Sequence, residues 1–198
     1  MPPPLEDIFE FPVNYEVVAL ERIERLGGKR VLAFPGAQAV DPQQEQTAAP
    51  ILEVRPAAAE PWIGIFYGEG YAAPPAVPGA LVGLPDEWTF AVVYAGRAVL
   101  VRADDPTVTS EVPRFPITDL LVVPGEEVVL FFDFTNLVAY GKDGLLWESR
   151  RLALDDLKLI RAKGNTLHVE GFFGEDTQHF TVDLPTGEAQ GQPWQPPE

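Results

Sequence analysis

Short apolar runs separated by turn-forming residues constrain the fold of this 198-residue chain more than any other feature. Through residues 89–184, runs of four to seven residues rich in Val, Phe, Tyr and Leu end at Gly, Pro, Asp or Asn. Such runs are typical of β-strands joined by short turns. The 21 prolines and 17 glycines also exceed the usual shares of about 5% and 7%. We therefore predict many turns, few long helices and a mainly β fold.

Three segments predict particular strands. Residues 89–105, TFAVVYAGRAVLVRADD, predict a hairpin that turns at Ala95-Gly96. In residues 179–188, HFTVDLPTGE, polar and apolar residues alternate, which predicts one buried face and one solvated face. Residues 127–134, EVVLFFDF, are apolar at both sets of alternate positions. They predict a central strand that is covered on both sides.

The first 88 residues predict irregular strands and Pro-rich loops, because prolines interrupt the pattern repeatedly. Residues 15–20, YEVVAL, and 30–34, RVLAF, predict a strand pair around the turn Gly27-Gly28. Strands in ILEV (51–54) and PWIGIFYG (61–68) are expected to follow. Two further stretches predict a surface loop and an extended, partly polyproline segment; these are residues 36–50 and 71–85.

Residues 145–160, LLWESRRLALDDLKLI, allow two interpretations, because loosely helical spacing competes with a strand pattern. A weak internal duplication, residues 119–147 against 156–194, favours strands. In this alignment Asp119 corresponds to Asp156, and each copy contains a turn glycine. A repeat of about 40 residues predicts a sheet of three or four strands used twice.

Together these patterns predict a single domain over residues 1–198, made of two antiparallel sheets or two blade-like units packed together. Residues 1–88 form its irregular part and residues 89–191 its regular β part. Residues 192–198 are expected to be a frayed tail.

Charge and cysteine content exclude several functions. With 30 acidic and 14 basic residues the net charge is −16, which disfavours nucleic acid and anionic membranes and favours a basic protein partner. The absence of cysteine excludes disulfides, thiolate catalysis and cysteine-ligated metals, and it fits a cytoplasmic protein. No signal peptide and no membrane-length apolar stretch is apparent. The oligomeric state is left open.

Catalytic and metal-binding motifs are weak. The serines, Ser110 and Ser149, are not in Gly-x-Ser-x-Gly, and Ser149 is better explained by solvent or a backbone hydrogen bond. His168 and His179 lie on neighbouring predicted strands, but the acidic residues near them have no diagnostic spacing; these are Glu170, Glu175 and Asp183. Both histidines are interpreted as polar-face residues of a sheet. We predict no metal and no cofactor.

Adjacent carboxylates occur three times, but neighbours on a strand point to opposite faces, so adjacency alone does not build a general acid and base. The pairs are Asp104-Asp105, Glu126-Glu127 and Asp155-Asp156. The glycines of Gly68-Glu69-Gly70 precede prolines rather than a helix, so they do not form a phosphate loop.

Aromatic residues supply the candidate binding groups. Trp62, Tyr67 and Tyr71 flank a Pro-rich stretch and are candidates for an aromatic lip around a ligand or peptide, although core packing explains them more simply. Trp147 and Arg150 lie in residues 138–157, VAYGKDGLLWESRRLALDDL, and complete the candidate set. That stretch is also explained as the join between the two repeated units.

Residues 137–191 resemble a group of small bacterial proteins without a known activity. The shared pattern is a Trp-x-x-x-Arg-Leu-x-x-Asp-x-Leu stretch from Trp147, followed by Phe-x-Val-Asp-Leu-x-Thr-Gly from Phe180. The resemblance covers about a quarter of the chain and implies an all-β architecture. The same pieces are similar to outer strands of quinoprotein-type propeller blades; because two units cannot close a propeller, no cofactor is implied.

Two hypotheses for function follow. The first is a non-catalytic, acidic binding or interaction module of a bacterial cell that recognises a basic protein partner. The alternative is a hydrolase or isomerase whose carboxylates are brought together by the fold. The two hypotheses are distinguished by the pocket: a concave pocket in which two carboxylates with strongly shifted proton affinities lie close together would support the enzyme.

Overall fold

A computed structural model describes residues 5–21, 28–39, 49–68 and 79–191. Within these ranges the chain forms eighteen β-strands, one short 3₁₀ helix at Pro124–Glu126 and no α-helix, which confirms the mainly β prediction. The strands are β1 (Glu6–Ile8), β2 (Tyr15–Leu20), β3 (Arg30–Phe34), β4 (Gln38–Ala39), β5 (Ile51–Pro56), β6 (Trp62–Phe66), β7 (Ala80–Gly83), β8 (Thr89–Tyr94), β9 (Arg97–Arg102), β10 (Thr109–Glu111), β11 (Asp119–Val123), β12 (Val128–Phe132), β13 (Leu137–Gly141), β14 (Gly144–Glu148), β15 (Asp155–Lys163), β16 (Thr166–Phe172), β17 (Thr177–Asp183) and β18 (Ala189–Gln190).

Three predicted segments fall wholly or largely outside the described residues. They are the tail 192–198, most of the surface loop 36–50, and residues 71–78 of the extended segment with Tyr71.

The chain divides into two compact units, Met1–Val112 (unit 1) and Pro113–Glu198 (unit 2). The division lies beyond residue 88, where the sequence pattern becomes regular, because the hairpin of β8 and β9 joins a sheet with the earlier strands β1 and β7. Whether the whole chain folds as one cooperative domain stays a prediction.

Unit 1 consists of two five-stranded sheets that pack face to face. Their strand orders are β1-β7-β8-β9-β10 and β2-β5-β6-β3-β4. One hydrophobic cluster contains buried side chains of both sheets, including Phe34, Trp62 and Phe66 from the second sheet and Phe90 and Val101 from the first. Burying these apolar faces against each other is what holds two sheets together.

The expected pairing of residues 15–20 with 30–34 around Gly27-Gly28 is wrong. Strand β2 pairs along its whole length with β5, from Tyr15 opposite Pro56 to Leu20 opposite Ile51, and β3 runs parallel to β6. Pairing with β6 places Phe34 opposite Phe66, where the two rings stack with centroids 4.7 Å apart in the core. Local alternation predicts a strand, whereas non-local burial of this kind selects its partner.

The hairpin over residues 89–105 is confirmed. Strands β8 and β9 pair from Thr89 opposite Arg102 to Tyr94 opposite Arg97. The two turn residues, Ala95 and Gly96, have φ values of 48° and 78°. Two consecutive positive φ values are the requirement of a type I′ turn, whose twist matches that of the paired strands.

Unit 2 consists of two four-stranded antiparallel sheets, each with its strands in sequence order. The sheets are β11-β12-β13-β14 and β15-β16-β17-β18, and both contribute to one buried hydrophobic cluster. The predicted central strand is β12, in which every residue is buried. Residues 145–160 contribute to strands β14 and β15, so the strand interpretation is confirmed and the helical one is wrong.

The sheets of unit 2 correspond to the predicted duplication, with one correction. Asp119 begins β11 opposite Phe132, and Asp155 begins β15 opposite Phe172. Each of these carboxylates accepts a 2.8 Å hydrogen bond from the next backbone N–H. The counterpart of Asp119 is therefore Asp155, not Asp156. Asp156 has a φ of 53° where the register of β15 shifts, so it is the inserted residue of a bulge.

Four turns are closed in the same way. An Asp carboxylate accepts hydrogen bonds from both the backbone N–H and the hydroxyl of a Thr two or three residues later. This local bonding favours the turn conformation at each place. The pairs are Asp86 with Thr89, Asp105 with Thr107, Asp133 with Thr135, and Asp183 with Thr186.

Across the described ranges, no helix has the length and apolar character needed to cross a membrane.

Candidate functional site

A cleft of about 630 Å³ opens where three connecting segments of unit 1 meet. It is lined by residues 28–30, which lead into β3, by residues 59–61 between β5 and β6 together with Trp62 at the start of β6, and by residues 104–106 after β9. The volume lies within the range of about 300 to 1,000 Å³ that is usual for ligand sites. The lining includes two cations and three carboxylates.

Two of the carboxylates are held in their ionised form. The guanidinium of Arg102 donates hydrogen bonds of 2.9 and 2.8 Å to Asp104, and this interaction lowers the pKa of the Asp104 carboxyl. The pKa of Asp105 is lowered first by the hydrogen bond from the Thr107 hydroxyl and then by that from its backbone N–H. The more distant charge of Arg30 acts in the same direction. Both carboxylates therefore act as anions near neutral pH.

The two cations of the cleft differ in their contacts. Lys29 donates a 2.7 Å hydrogen bond to Glu53, which also accepts one of 2.8 Å from Arg55. The bonds from Arg55 and Lys29 lower the pKa of Glu53 to about 2. Arg30 is exposed, and among the described residues it forms no hydrogen bond or ion pair. Lys29 is thus committed within the unit, whereas the Arg30 guanidinium is available to a ligand.

Trp62 lines the cleft but belongs mainly to the core. Its side chain is buried, and the indole N–H donates a 2.8 Å hydrogen bond to the carbonyl oxygen of Ala103. The ring lies 5.8 Å from that of Phe34 and 6.2 Å from that of Phe90, measured between centroids. Trp62 thus attaches Ala103, the residue before Asp104, to β6 and so positions two sides of the cleft relative to each other.

The other aromatic candidates of unit 1 are not part of the cleft lining. Tyr67 is half-buried and packs against the apolar cluster that contains Ile63 and Ile65. Its backbone N–H donates a 3.0 Å hydrogen bond to the carbonyl of Phe34. Tyr71 lies outside the described residues. Whether either residue contacts a ligand stays a prediction.

Trp147 and Arg150 lie in unit 2, so the candidate set does not form one site within unit 1. Trp147 is half-buried against the hydrophobic cluster, and its indole N–H donates a 2.8 Å hydrogen bond to Leu184. Arg150 is exposed in the connection between β14 and β15. Trp147 therefore anchors its sheet to the core of unit 2, as expected if residues 138–157 join the two repeated units.

Ser149 has a structural role, and the predicted backbone hydrogen bond is present. It is buried, and its hydroxyl oxygen accepts a 2.9 Å hydrogen bond from the backbone N–H of Leu137. Its carbonyl oxygen accepts a 3.1 Å hydrogen bond from the side-chain amide of Asn136. The hydroxyl therefore satisfies a buried backbone donor where β14 ends.

The two histidines share one face of the sheet β15-β16-β17-β18. His168 is opposite Thr181, and His179 is opposite Glu170, so all four side chains lie on the same side. A groove of about 350 Å³ is lined by both histidines and by Arg161 and Thr181. The polar-face interpretation is confirmed for β16 and β17, where their neighbours Val169 and Phe180 are buried in the core.

No group of three or more His, Asp or Glu side chains is close enough to hold a metal ion within the described ranges. His179 Nδ1 lies 3.8 Å from Glu170 Oε2, beyond hydrogen-bond length, and the His179 side chain is 73% exposed. The geometry of this group suits solvent or an external ligand better than coordination of a cation.

The carboxylates of the cleft come together only through the fold. Glu60 precedes Pro61 in one turn and Asp105 precedes Pro106 in another, 45 residues further along the chain, so neither position is distinctive by itself. The acidic residue followed by proline indicates a turn at each place. No sequence signal indicates that the two turns lie side by side.

No family model matches the sequence, and no curated protein matches it. Among solved structures, the chain is similar to apo AztD from Citrobacter koseri, with a TM-score of 0.44 and 17% sequence identity. The match covers 91% of this chain and 59% of that chain, so this chain spans less than two thirds of its length. A likeness at this level shows no shared function, and any functional conclusion depends on the residues themselves.

Proposed function

We propose that this chain is a non-catalytic binding module that recognises a basic segment of a protein partner through the cleft of unit 1. The observation that supports this proposal is the gathering of Glu60, Asp104 and Asp105 in one cleft, with Asp104 and Asp105 held ionised. Ionised carboxylates at a concave surface attract Lys and Arg side chains and increase the rate of association.

The arrangement of contacts indicates which groups would meet the ligand. Asp104 is engaged by Arg102, whereas Glu60 and Asp105 are exposed and have no ion pair within hydrogen-bond reach among the described residues. Ala59 and Pro61 provide accessible apolar surface beside them, whereas Pro106, which also lines the cleft, is buried. A long basic side chain gains from both features, because its methylene stem packs on apolar surface while its charged head reaches a carboxylate.

The net charge of −16 supports the same class of partner. The proposal includes a bacterial cytoplasmic setting, which agrees with the cysteine-free sequence.

The alternative, a carboxylate-dependent hydrolase or isomerase, draws on the same cleft. A general acid needs a carboxyl whose pKa is raised toward the working pH, and the usual cause is burial or a second carboxylate nearby. The pKa values of Asp104 and Asp105 are lowered instead. Such groups stabilise a cation better than they donate a proton, so the binding module is the preferred proposal.

Binding of an arginine-rich peptide to the full chain, measured by calorimetry at low and at moderate salt, tests the proposal. The double variant Glu60→Gln/Asp105→Asn removes two cleft charges, and Glu126→Gln/Glu127→Gln removes two charges in unit 2. We expect the cleft variant to lose at least about tenfold in affinity, whereas the control loses less than about threefold. Equal losses would mean that only the overall charge attracts the peptide.

A further inference from the structure

A row of hydrogen-bond donors crosses three neighbouring strands of unit 2. Arg161 in β15 is opposite His168 in β16, and His168 is opposite Thr181 in β17. His179 lies two residues before Thr181, so its side chain is on the same face. A guanidinium, two imidazoles and a hydroxyl therefore lie next to each other on one side of the sheet.

These four side chains line the same groove of about 350 Å³. Val169 and Phe180 also line it, and both are buried in the hydrophobic cluster of unit 2. The floor of the groove is therefore the sheet itself, which positions the donors through its pairing register.

The donors are available to a ligand. Among the described residues, neither Arg161 nor His168 forms a hydrogen bond or an ion pair. The carboxylate nearest to His179 is Glu170, at 3.8 Å. The other charged groups on this face are Lys158, which is bound to Asp156 at 2.7 Å; Lys163; Asp155, which accepts a hydrogen bond from the backbone N–H of Asp156; and Asp183, which accepts hydrogen bonds from Thr186.

We propose that this groove binds the phosphate group of a phosphate monoester or of free phosphate. Arg donates two parallel N–H bonds to one oxyanion, and the imidazoles and the hydroxyl supply donors from two further strands. A phosphate group presents three terminal oxygens to such a set, whereas a carboxylate presents two.

Glu170 is expected to weaken anion binding at this site, because its carboxylate repels an anion next to His179. The proposal concerns unit 2 and an anionic ligand, and it does not depend on the cation-binding cleft of unit 1.

The chain contains only two histidines, and both line the groove, so their ring resonances report on this site alone. The test is a titration of the full chain with inorganic phosphate at constant pH, followed by NMR of the imidazole resonances. A phosphoserine peptide and its unphosphorylated form provide the second arm. We expect saturable shifts of both imidazoles with phosphate and with the phosphopeptide.

Variants distinguish binding by the positioned donors of the groove from general attraction by positive charge. Arg161→Gln is expected to weaken phosphate binding by at least about tenfold, because it removes the bidentate donor. Lys163→Gln removes the same charge from the same strand outside the groove lining, and a change below about twofold is expected. The variant Thr181→Val, followed by the same resonances, should weaken binding by about threefold.

Saturation by inorganic phosphate alone would assign the site to free phosphate, and tighter binding of the phosphopeptide than of its unphosphorylated form would assign it to a phosphorylated partner. Three results would overturn the proposal: unmoved imidazole resonances with every ligand, equal losses for Arg161→Gln and Lys163→Gln, or shifts by acetate that equal those by phosphate. Failure of peptide binding at the unit 1 cleft would leave these results unaffected.

Discussion

The indole N–H of Trp147 donates a 2.8 Å hydrogen bond to the carbonyl oxygen of Leu184. Trp147 lies in β14, and Leu184 directly follows β17, so this bond joins the two four-stranded sheets of unit 2. Gly187 completes the contact: a Cβ at that position would lie 2.5 Å from an atom of the indole ring. The duplicated sheets are therefore connected by a tryptophan of one copy and a turn of the other.

The substitution Gly187→Ala should destabilise unit 2 for two reasons. Its φ of 72° is strained for any residue with a Cβ, and the added methyl group overlaps the Trp147 ring. Gly164→Ala is a matched control, because Gly164 has a φ of 53° and no atom within 4 Å of the added Cβ. In urea unfolding we expect a loss of about 3 kcal/mol for Gly187→Ala and about 1 kcal/mol for the control. Equal losses would contradict the tight contact with Trp147.

The two serines of the chain should respond differently to truncation. Ser149→Ala leaves the buried backbone N–H of Leu137 without its acceptor, and we expect a loss of about 1 to 2 kcal/mol. Ser110 is exposed in β10, so Ser110→Ala should change the free energy of unfolding by less than about 0.5 kcal/mol. Denaturant unfolding of both variants provides the measurement; a loss at Ser149 no larger than that at Ser110 would contradict the assigned role.

Acid stability should depend on Glu53. Its pKa is lowered from 4.5 to about 2, first by the hydrogen bond from Arg55 and then by that from Lys29. A group whose pKa is lower in the folded state contributes stability above its unfolded pKa and loses that contribution as the pH falls through the folded value. This contribution is therefore present near neutrality and disappears between about pH 4.5 and about pH 2.

The variant Glu53→Gln should accordingly lose less stability than the wild type between about pH 5 and about pH 2.5, in unfolding curves recorded across that range. Glu175→Gln, an exposed turn variant with the same change in net charge, serves as the control. If Glu53→Gln and Glu175→Gln showed the same dependence on pH, the ion pairs of Glu53 would have no measurable effect on folding.

The substitution Arg30→Gln should strengthen the binding of a cationic peptide to the cleft of unit 1. Arg30 is close enough to Asp105 to lower its pKa, so it competes with an incoming cation for that carboxylate. We expect an increase in affinity of about threefold in calorimetry, and a smaller increase at higher salt. Arg161→Gln removes an equal charge in unit 2, and it should leave peptide affinity nearly unchanged. A decrease with Arg30→Gln would assign the cleft to an anionic group.

Features fixed by neighbouring residues could be predicted from the sequence. The Ala95-Gly96 hairpin, the doubly buried strand β12 and the polar face with His168 and His179 all follow from alternation and turn chemistry. Each is indicated by the pattern of a few neighbouring residues along the chain. Their aromatic character makes Trp62 and Trp147 binding candidates in the sequence, and the structure explains their position by core packing and indole hydrogen bonds.

Features that depend on distant contacts could not be predicted. The partner of β3 is β6 rather than β2, because pairing with β6 stacks Phe34 on Phe66. The cleft needs residues from three connections of unit 1, and no spacing in the sequence indicates that they meet. The bulge at Asp156, which moves the repeat by one residue, depends on the register of β15 against β16.

The sequence by itself determined the β class, the turns closed by an Asp and a Thr, and the acidic charge of the chain, because side-chain alternation and local hydrogen bonds act between near neighbours. Only the tertiary structure decided which strands far apart in the chain pair, which carboxylates meet in unit 1, and that Arg161 lies beside His168 in unit 2. Alternation specifies which face of a strand is buried, but the choice of partner comes from packing between residues far apart in the chain.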